Sequence, residues 1–253
     1  MISLKSSREI EIMREGGRIL SSVLSDLKLF VEPGITTREV ERYAEKLIKE
    51  RGGVAAFKGY RGYPGSICTS VNEEVVHGIP SDRKLKEGDL LSVDIGVGYK
   101  GYFTDAARTW PVGAISQEDE FLIEVARDSI YKAALEHLVP GKRLGDVSSA
   151  IQHFIESNGF GVIRDFVGHG IGQAIHEDPQ VPNFGKAGRG LKLETGLVLA
   201  VEPMVTMGDY EVMVLDDDWT VVTCDREKSS HHEETIVITE VGPEILTSET
   251  QGS

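Results

Sequence analysis

Cysteine, basic residues and long apolar runs are all scarce in this sequence, and each shortage argues against a class of protein. The two cysteines, Cys68 and Cys224, lie far apart and lack the close spacing of a zinc or redox motif. Such usage is typical of a reduced, cytosolic chain, so we expect a cytoplasmic protein. The N-terminal segment has no continuous apolar core, which argues against a signal peptide. The longest apolar runs, such as 197–201, are far too short to span a bilayer.

The shortage of positive charge is the strongest feature of the composition. Lysine and arginine number 27 against 41 aspartates and glutamates, which gives a formal net charge of −14. A general binder of nucleic acid or of an anionic membrane needs a basic face, so we expect neither direct nucleic-acid binding nor membrane attachment. The acidic balance is compatible with a site that concentrates cations. The length of 253 residues allows one large domain or two small ones with a buried core.

Helix-start signals recur along the chain. Ser6 with Glu9 and Thr36 with Glu39 form capping boxes ahead of apolar residues at helical spacing. Ser116 begins a third helix, and a fourth helical pattern follows it. Strand-like residues come after each pair of helices. The predicted order is therefore two helices and then strands, twice over.

An internal repeat supports this order. PGITTREVERYAEKLIKERG from Pro33 matches PGKRLGDVSSAIQHFIESNG from Pro140, and LKEGDLLSVD from Leu85 matches LETGLVLAVE from Leu193. The two matches have nearly the same offset, which indicates duplication. We predict an α+β fold of two pseudo-symmetric halves, about 6–113 and 114–246, that form one continuous sheet. The whole chain would then be a single catalytic domain.

The stretch SVDIGVGYKGYFTDAAR, residues 92–108, is predicted to form a hairpin. If its turn is centred between Tyr99 and Lys100, Asp94 and Asp105 lie directly opposite, with Cβ atoms roughly 4.5–5.5 Å apart. Facing carboxylates repel, and a bound divalent cation removes the repulsion because carboxylate oxygens are hard ligands. Two alternatives remain, which are two solvated aspartates on an exposed face and a one-residue bulge that breaks the pairing.

The second half of the chain contains further candidate ligands. The repeat places Glu202 at the position of Asp94, so the two would meet where the halves join. The GHGIG segment is not a phosphate loop, because that motif needs a strand before it and a helix after it. Other candidates are His169 in FVGHGIG, His176 in IHEDP, and either Glu233 or Glu234 in SSHHEETIVI.

These motifs together are specific. The set VVHGIP, SVDIG…FTDAAR, GHGIG…HEDP, VEPM and EETIVI resembles the methionine aminopeptidases of the pita-bread metallopeptidase family, up to about Leu246. Among them the chain is most similar to the bacterial form of type I. His77 leaves no room for the large N-terminal domain of prolidases, and the short span from His169 to Glu202 lacks the insertion that marks type II. The resemblance implies a pita-bread fold, a curved, largely antiparallel sheet backed by helices.

The resemblance also implies a metal site and roles for its neighbours. Two divalent ions (Co, Mn, Fe or Zn) would be held by Asp94, Asp105, His169, Glu202 and Glu233. Four carboxylates carry −4 and two divalent ions carry +4, so the cluster would be neutral. Glu202 would also act as general base, His176 would stabilise the oxyanion, and His77 would hold the scissile amide.

A substrate pocket follows from the same resemblance. His77 and His176 would contact the substrate near the scissile bond, and the pocket for the methionine side chain would be formed by Phe57, Tyr60, Tyr63, Cys68, Ile175 and Trp219. Such an aromatic and sulfur-lined cavity suits a polarisable thioether. A monovalent cation would lie near Asn72 and Ser229, with a backbone carbonyl from Glu74. His231 and His232 flank the ligand Glu233, where they would tune metal affinity, narrow the cleft or remain solvated.

The implied activity is removal of the initiator methionine from nascent proteins whose second residue is small. The attacking group would be a hydroxide that bridges the two ions. Nascent chains imply a position close to the ribosome, although the acidic residues 209–218 argue against docking on RNA through that loop. We expect a monomer. The alternatives are a proline-specific aminopeptidase with the same metals and a binding module without activity.

Overall fold

The predicted helices are present in the computed structural model, which describes residues 2–248. The side chains of Ser6, Thr36 and Ser116 each accept a hydrogen bond from a backbone N–H three residues on, as capping boxes do. Within the described range, no helix combines the length and apolarity that crossing a membrane requires. The helical elements are α1 (Ser7–Phe30), α2 (Thr37–Glu50), a 3₁₀ turn (Tyr60–Gly62), α3 (Gln117–Asp128), a π-helical segment (Ser129–Ala134) and α4 (Leu144–Ser157).

All the strand pairs in the described residues are antiparallel, and most of the strands are short. They are β1 (Val54–Ala55), β2 (Cys68–Val71), β3 (Glu74–Val76), β4 (Leu90–Tyr99), β5 (Tyr102–Pro111), β6 (Gly161–Val162), β7 (Gly168–Gly170), β8 (Glu177–Val181), β9 (Val198–Val201), β10 (Met204–Thr206), β11 (Val212–Val214), β12 (Val221–Thr223), β13 (Ser229–His231), β14 (Glu234–Thr239) and β15 (Gly242–Ile245).

The strands form separate sheets, so the prediction of one continuous sheet is wrong. In the first half β4 pairs with β5, β1 and β2, and in the second half the order is β15-β14-β9-β7-β8. Two small sheets, β13-β10-β6 and β11-β12-β3, complete the set in residues 2–248. Between β5 and residues 231–235, the hydroxyls of Thr109 and Thr235 bond to backbone groups of the facing segment. We call this junction the seam.

Each half buries its own pair of helices against its own sheet. In the first half, leucines of α1 such as Leu24 and apolar residues of α2 such as Val40 pack on Val93 and its neighbours in β4. In the second half, α3, the π-helical segment and α4 pack on β9 and β14, with Ile151 and Ile236 in the same core. The apolar faces of the helices therefore account for the two-layer, α+β arrangement. The division into pseudo-symmetric halves stays a prediction.

The hairpin β4–β5 forms, but its register differs from the prediction. Lys100 and Gly101 make the two-residue turn, with φ of 47° and 84°, as the favoured hairpin turns require. Asp94 consequently pairs with Ala107, and Asp105 pairs with Gly96, so the two aspartates do not lie directly opposite. Because the shift is two residues, both side chains still lie on one face of the hairpin.

Candidate metal centre and adjoining pocket

Asp94 and Asp105 are buried at the middle of the β4–β5 hairpin, so the solvated alternative is wrong. The backbone of Asp105 is held across the seam by Thr235, whose Oγ1 accepts from the Asp105 N–H (2.9 Å) and donates to the Asp105 carbonyl (2.8 Å). A backbone bond from Glu233 to the carbonyl of Ala107 (3.0 Å) ties the same strands together. The seam therefore fixes Asp105 and Glu233 relative to each other.

His169 lies on β7 between two glycines that allow close backbone packing. A Cβ on Gly170 would lie 2.1 Å from the carbonyl oxygen of Asp178, so no larger residue fits there without movement. The Nδ1 of His169 is 2.9 Å from the carbonyl oxygen of Gly170, which assigns the ring proton to Nδ1. The lone pair of Nε2 is then available to a metal. Nε2 is 3.6 Å from Oε1 of Glu202.

The five residues predicted as ligands line one cavity. Single donor atoms of Asp105, His169 and Glu233 all lie within 4.8 Å of one another. Asp94 and Glu202, which directly follows β9, line the same cavity. The structure thus brings together residues from β4, β5 and β7 and from the segments that follow β9 and precede β14, up to 139 positions apart in the sequence.

The buried carboxylates of this cluster repel one another unless a cation is bound between them. Burial, reinforced by the neighbouring carboxylates, raises the pKa values of Asp94, Glu202 and Glu233 well above their usual range, and burial raises that of Asp105 to about 7. One carboxylate oxygen on each of Asp94, Asp105 and Glu233 is buried without a hydrogen-bond partner in the described chain. Orphaned oxygens beside one imidazole are the donors that Mn, Fe or Co prefer. The residues present therefore fit divalent metal ions.

An apolar end adjoins the carboxylates in the same cavity, whose volume is about 130 Å³. Cys68 on β2 pairs with Asp94 on β4, which sets a thiol directly beside the carboxylates. Ile175 does not line the cavity, but it packs with Phe57 over Gly96, where a Cβ would meet both side chains. The predicted pocket residues that do line it are Phe57, Tyr60, Tyr63, Cys68 and Trp219.

Two further lining residues, Arg61 and Val76, were not predicted. Val76 is the last residue of β3 and immediately precedes His77, so alternation along the chain gave no reason to place both in the cavity. Arg61 has a φ of 50° and lies over the ring of Tyr60, 5.4 Å from its centroid. Its placement depends on this turn, for which the sequence around it shows no distinctive signal.

The two histidines predicted to contact substrate both face the cavity. His77 packs edge-on against Phe166 and Trp219, and burial lowers its pKa to about 4. His176 stacks on Tyr60 with a ring separation of 5.1 Å, and its Nδ1 is 3.0 Å from the Tyr60 hydroxyl. Burial also lowers the pKa of His176. Both rings are therefore neutral near pH 7.

Glu234 does not face the cavity. Its carboxylate is fully buried and pairs with the guanidinium of Arg108 at 2.7 Å, while Glu233 turns to the cavity. Adjacent residues of an extended chain point to opposite faces, which explains the separation. His231 and His232 are both buried, so the alternative that they are solvated is wrong.

The oxygens predicted to surround a monovalent cation lie close together. The hydroxyl of Ser229 is 3.1 Å from the carbonyl oxygen of Asn72 and 3.1 Å from that of Glu74. The backbone N–H of Ser229 also donates to the Asn72 carbonyl, at 2.9 Å. Ser229 therefore lies within hydrogen-bonding distance of both carbonyls, so these oxygens are not free ligands. We call this meeting point of β3 and β13 the corner.

Comparison with known proteins gives a consistent result. The profile of metallopeptidase family M24 matches residues 11–240. The methionine aminopeptidase of Clostridium perfringens is 53% identical, and methionine aminopeptidase 1 of Bacillus subtilis is 51% identical, each over 98% of this chain and 99% of the relative. The crystal structure of methionine aminopeptidase from Thermotoga maritima superposes with a TM-score of 0.96 at 48% identity, covering 98% of this chain and all of that one. The predicted pita-bread fold is therefore confirmed, and the chain belongs to metallopeptidase family M24, among its type I methionine aminopeptidases.

Proposed function

We propose that this chain is a metal-dependent aminopeptidase that removes the N-terminal methionine of proteins whose second residue is small. The observation that carries the proposal is the cavity itself, in which buried carboxylates and a histidine share one space with an apolar end containing a thiol and aromatic rings. A thioether side chain suits the apolar end. The scissile amide would then lie beside the carboxylates.

The proposed ligands are Asp94, Asp105, His169, Glu202 and Glu233, and we propose two divalent ions. The charge balance supports two, because four carboxylates need a charge of +4. Bound ions of this kind lower the pKa of an attacking water and polarise the scissile carbonyl. The donor set favours Mn, Fe or Co, and Zn is a further candidate.

Glu202 is the proposed general base. It takes a proton from the attacking water while the water oxygen bonds to the carbonyl carbon. The C–N bond then breaks, and Glu202 passes the proton to the leaving amine. The products are free methionine and a shortened chain, and no other reactant is needed.

His176 and His77 would act on the substrate directly. If the Tyr60 hydroxyl donates to Nδ1 of His176, the ring proton lies on Nε2, from which it can be donated to the oxyanion. His77 is held between Phe166 and Trp219, so its neutral ring has a fixed orientation from which to bind the scissile amide. Selection of a small second residue is proposed from the resemblance of the sequence motifs to those of the methionine aminopeptidases.

Several broader properties are proposed with the activity. The substrates would be the N-termini of nascent polypeptides, which places the enzyme near the ribosome, and the chain would act as a cytoplasmic monomer. The corner formed by Asn72, Glu74 and Ser229 is the proposed place for a monovalent cation, supported by two carbonyl oxygens that each lie 3.1 Å from the Ser229 hydroxyl.

A substrate comparison tests the proposal. Protein reconstituted with Mn²⁺ should release methionine from Met-Ala-Ser and leave Ala-Pro-Ser intact. Cleavage of Ala-Pro-Ser alone would instead support a proline-specific enzyme, and cleavage of neither would support a binding module. Glu202→Gln, measured in parallel, should abolish the release of methionine, because it removes the proposed base.

A further inference from the structure

His231 is buried beside the cavity but is not one of the five proposed ligands. Its side chain is 2% exposed, and its Nε2 has no hydrogen-bond partner in the part of the chain that is described. That nitrogen lies 3.9 Å from Oε2 of Glu202. Buried polar atoms without a partner are rare in proteins, so the orientation of this ring requires a reason.

The backbone of His231 is held by the same device as that of Asp105. Thr109 Oγ1 accepts from the His231 N–H (2.9 Å) and donates to the His231 carbonyl (3.0 Å). Thr235 does the same for Asp105, at 2.9 and 2.8 Å. Thr109 follows Asp105 by four positions, and Thr235 follows His231 by four positions. The two hydroxyl bridges therefore fix Asp105 and His231 at equivalent places on the two sides of the seam.

Alternation along the chain sends the two neighbouring histidines to opposite faces. His231 and Glu233 are two residues apart and lie on the side of Glu202, whereas His232 lies 3.6 Å from Glu234 on the other side. His232 is also buried, but its side chain points to the opposite face of the chain.

We propose that His231 is a positioning residue for Glu202, which it holds through a hydrogen bond from Nε2–H to Oε2. A small rotation of the carboxylate closes the 3.9 Å separation to hydrogen-bonding distance. Oε1, which lies 3.6 Å from His169, remains directed at the metal site. A donor behind a ligating carboxylate fixes its orientation, and the loss of such a partner weakens metal binding by about 10–100-fold. The inference rests on the proposed role of Glu202 as a ligand.

Titration of the metal-stripped full-length protein with Mn²⁺ by calorimetry tests this role without any substrate. His231→Leu should weaken Mn²⁺ binding by about 10–100-fold. His231→Gln should bind Mn²⁺ with an affinity closer to that of the native protein, because its amide nitrogen can donate from the same place. His232→Leu is the matched control, since it removes a buried imidazole from the other face and should leave Mn²⁺ affinity close to native.

Each outcome decides between the alternatives. Native affinity in His231→Leu, or equal losses in His231→Leu and His232→Leu, would overturn the positioning role. If His231→Leu does not fold, His231→Asn replaces it, because its shorter amide cannot reach Glu202. An affinity for His231→Asn equal to that of His231→Gln would also overturn the role. Glu202→Gln separates this inference from the proposed function: native Mn²⁺ affinity in that variant would refute Glu202 as a ligand.

Discussion

Thr235 bridges the seam through its side chain, and removal of its hydroxyl should destabilise the protein. Its hydroxyl satisfies both backbone groups of Asp105, and both residues are buried. Thr235→Val keeps the shape of the side chain but removes the hydroxyl. The N–H and the carbonyl of Asp105 would then be left without partners in a region that water does not reach.

The size of the effect follows from those two groups. An unsatisfied buried donor or acceptor costs about 1–3 kcal/mol, so two of them should lower the free energy of unfolding by about 3 kcal/mol. With an m-value of about 3 kcal/mol/M, the urea midpoint should fall by about 1 M. Unfolding of metal-free protein, followed by circular dichroism, measures the shift without a contribution from bound metal.

Thr235→Ser is the matched control, because it retains the hydroxyl and loses only a methyl group. It should unfold at a midpoint much closer to that of the native protein. If Thr235→Val unfolds at the native midpoint, or if the serine variant loses as much as the valine variant, the hydroxyl bridge does not stabilise the seam.

Three further predictions concern other parts of the site. Glu234→Gln leaves the buried guanidinium of Arg108 without a charged partner and should cost about 3–5 kcal/mol in urea unfolding; a native midpoint would contradict this. Because burial lowers the folded-state pKa of His77 to about 4, the unfolded chain binds more protons between about pH 4 and 6.5, so stability falls as pH drops through that window. His77→Phe should reduce this fall, and an unchanged pH dependence of the urea midpoint would refute it. Gly96→Ala puts a Cβ 2.7 Å from Phe57, so the KM for Met-Ala-Ser should rise while kcat changes little; an unchanged KM would show that the ring moves freely.

Local sequence signals predicted where the helices begin, and the internal repeat pointed to one candidate ligand. The capping boxes at Ser6 and Thr36 determine where α1 and α2 begin, because cap chemistry involves only neighbouring residues. The internal repeat led to Glu202 as the counterpart of Asp94, and the structure places both in one cavity. Cap chemistry and repetition along the sequence, neither of which requires knowledge of the packing, therefore carried most of the information.

Features that depend on contacts between distant parts of the chain could not be predicted as well from the sequence. The hairpin register was wrong by two residues because the turn uses Lys100 at positive φ, a conformation that lysine seldom adopts. The seam could not be predicted either, since the bridges from Thr109 and Thr235 join residues more than 120 positions apart. The burial of His231 and its neighbour also follows from the seam, because only the packed halves exclude water from them.

The central claim is that five residues hold two divalent ions at one end of the cavity. Anomalous diffraction at the manganese edge, from crystals grown with Mn²⁺, tests it most directly. The proposed site predicts two peaks within coordination distance of the set Asp94, Asp105, His169, Glu202 and Glu233. Peaks elsewhere, or a cavity without a peak at saturating Mn²⁺, would contradict it.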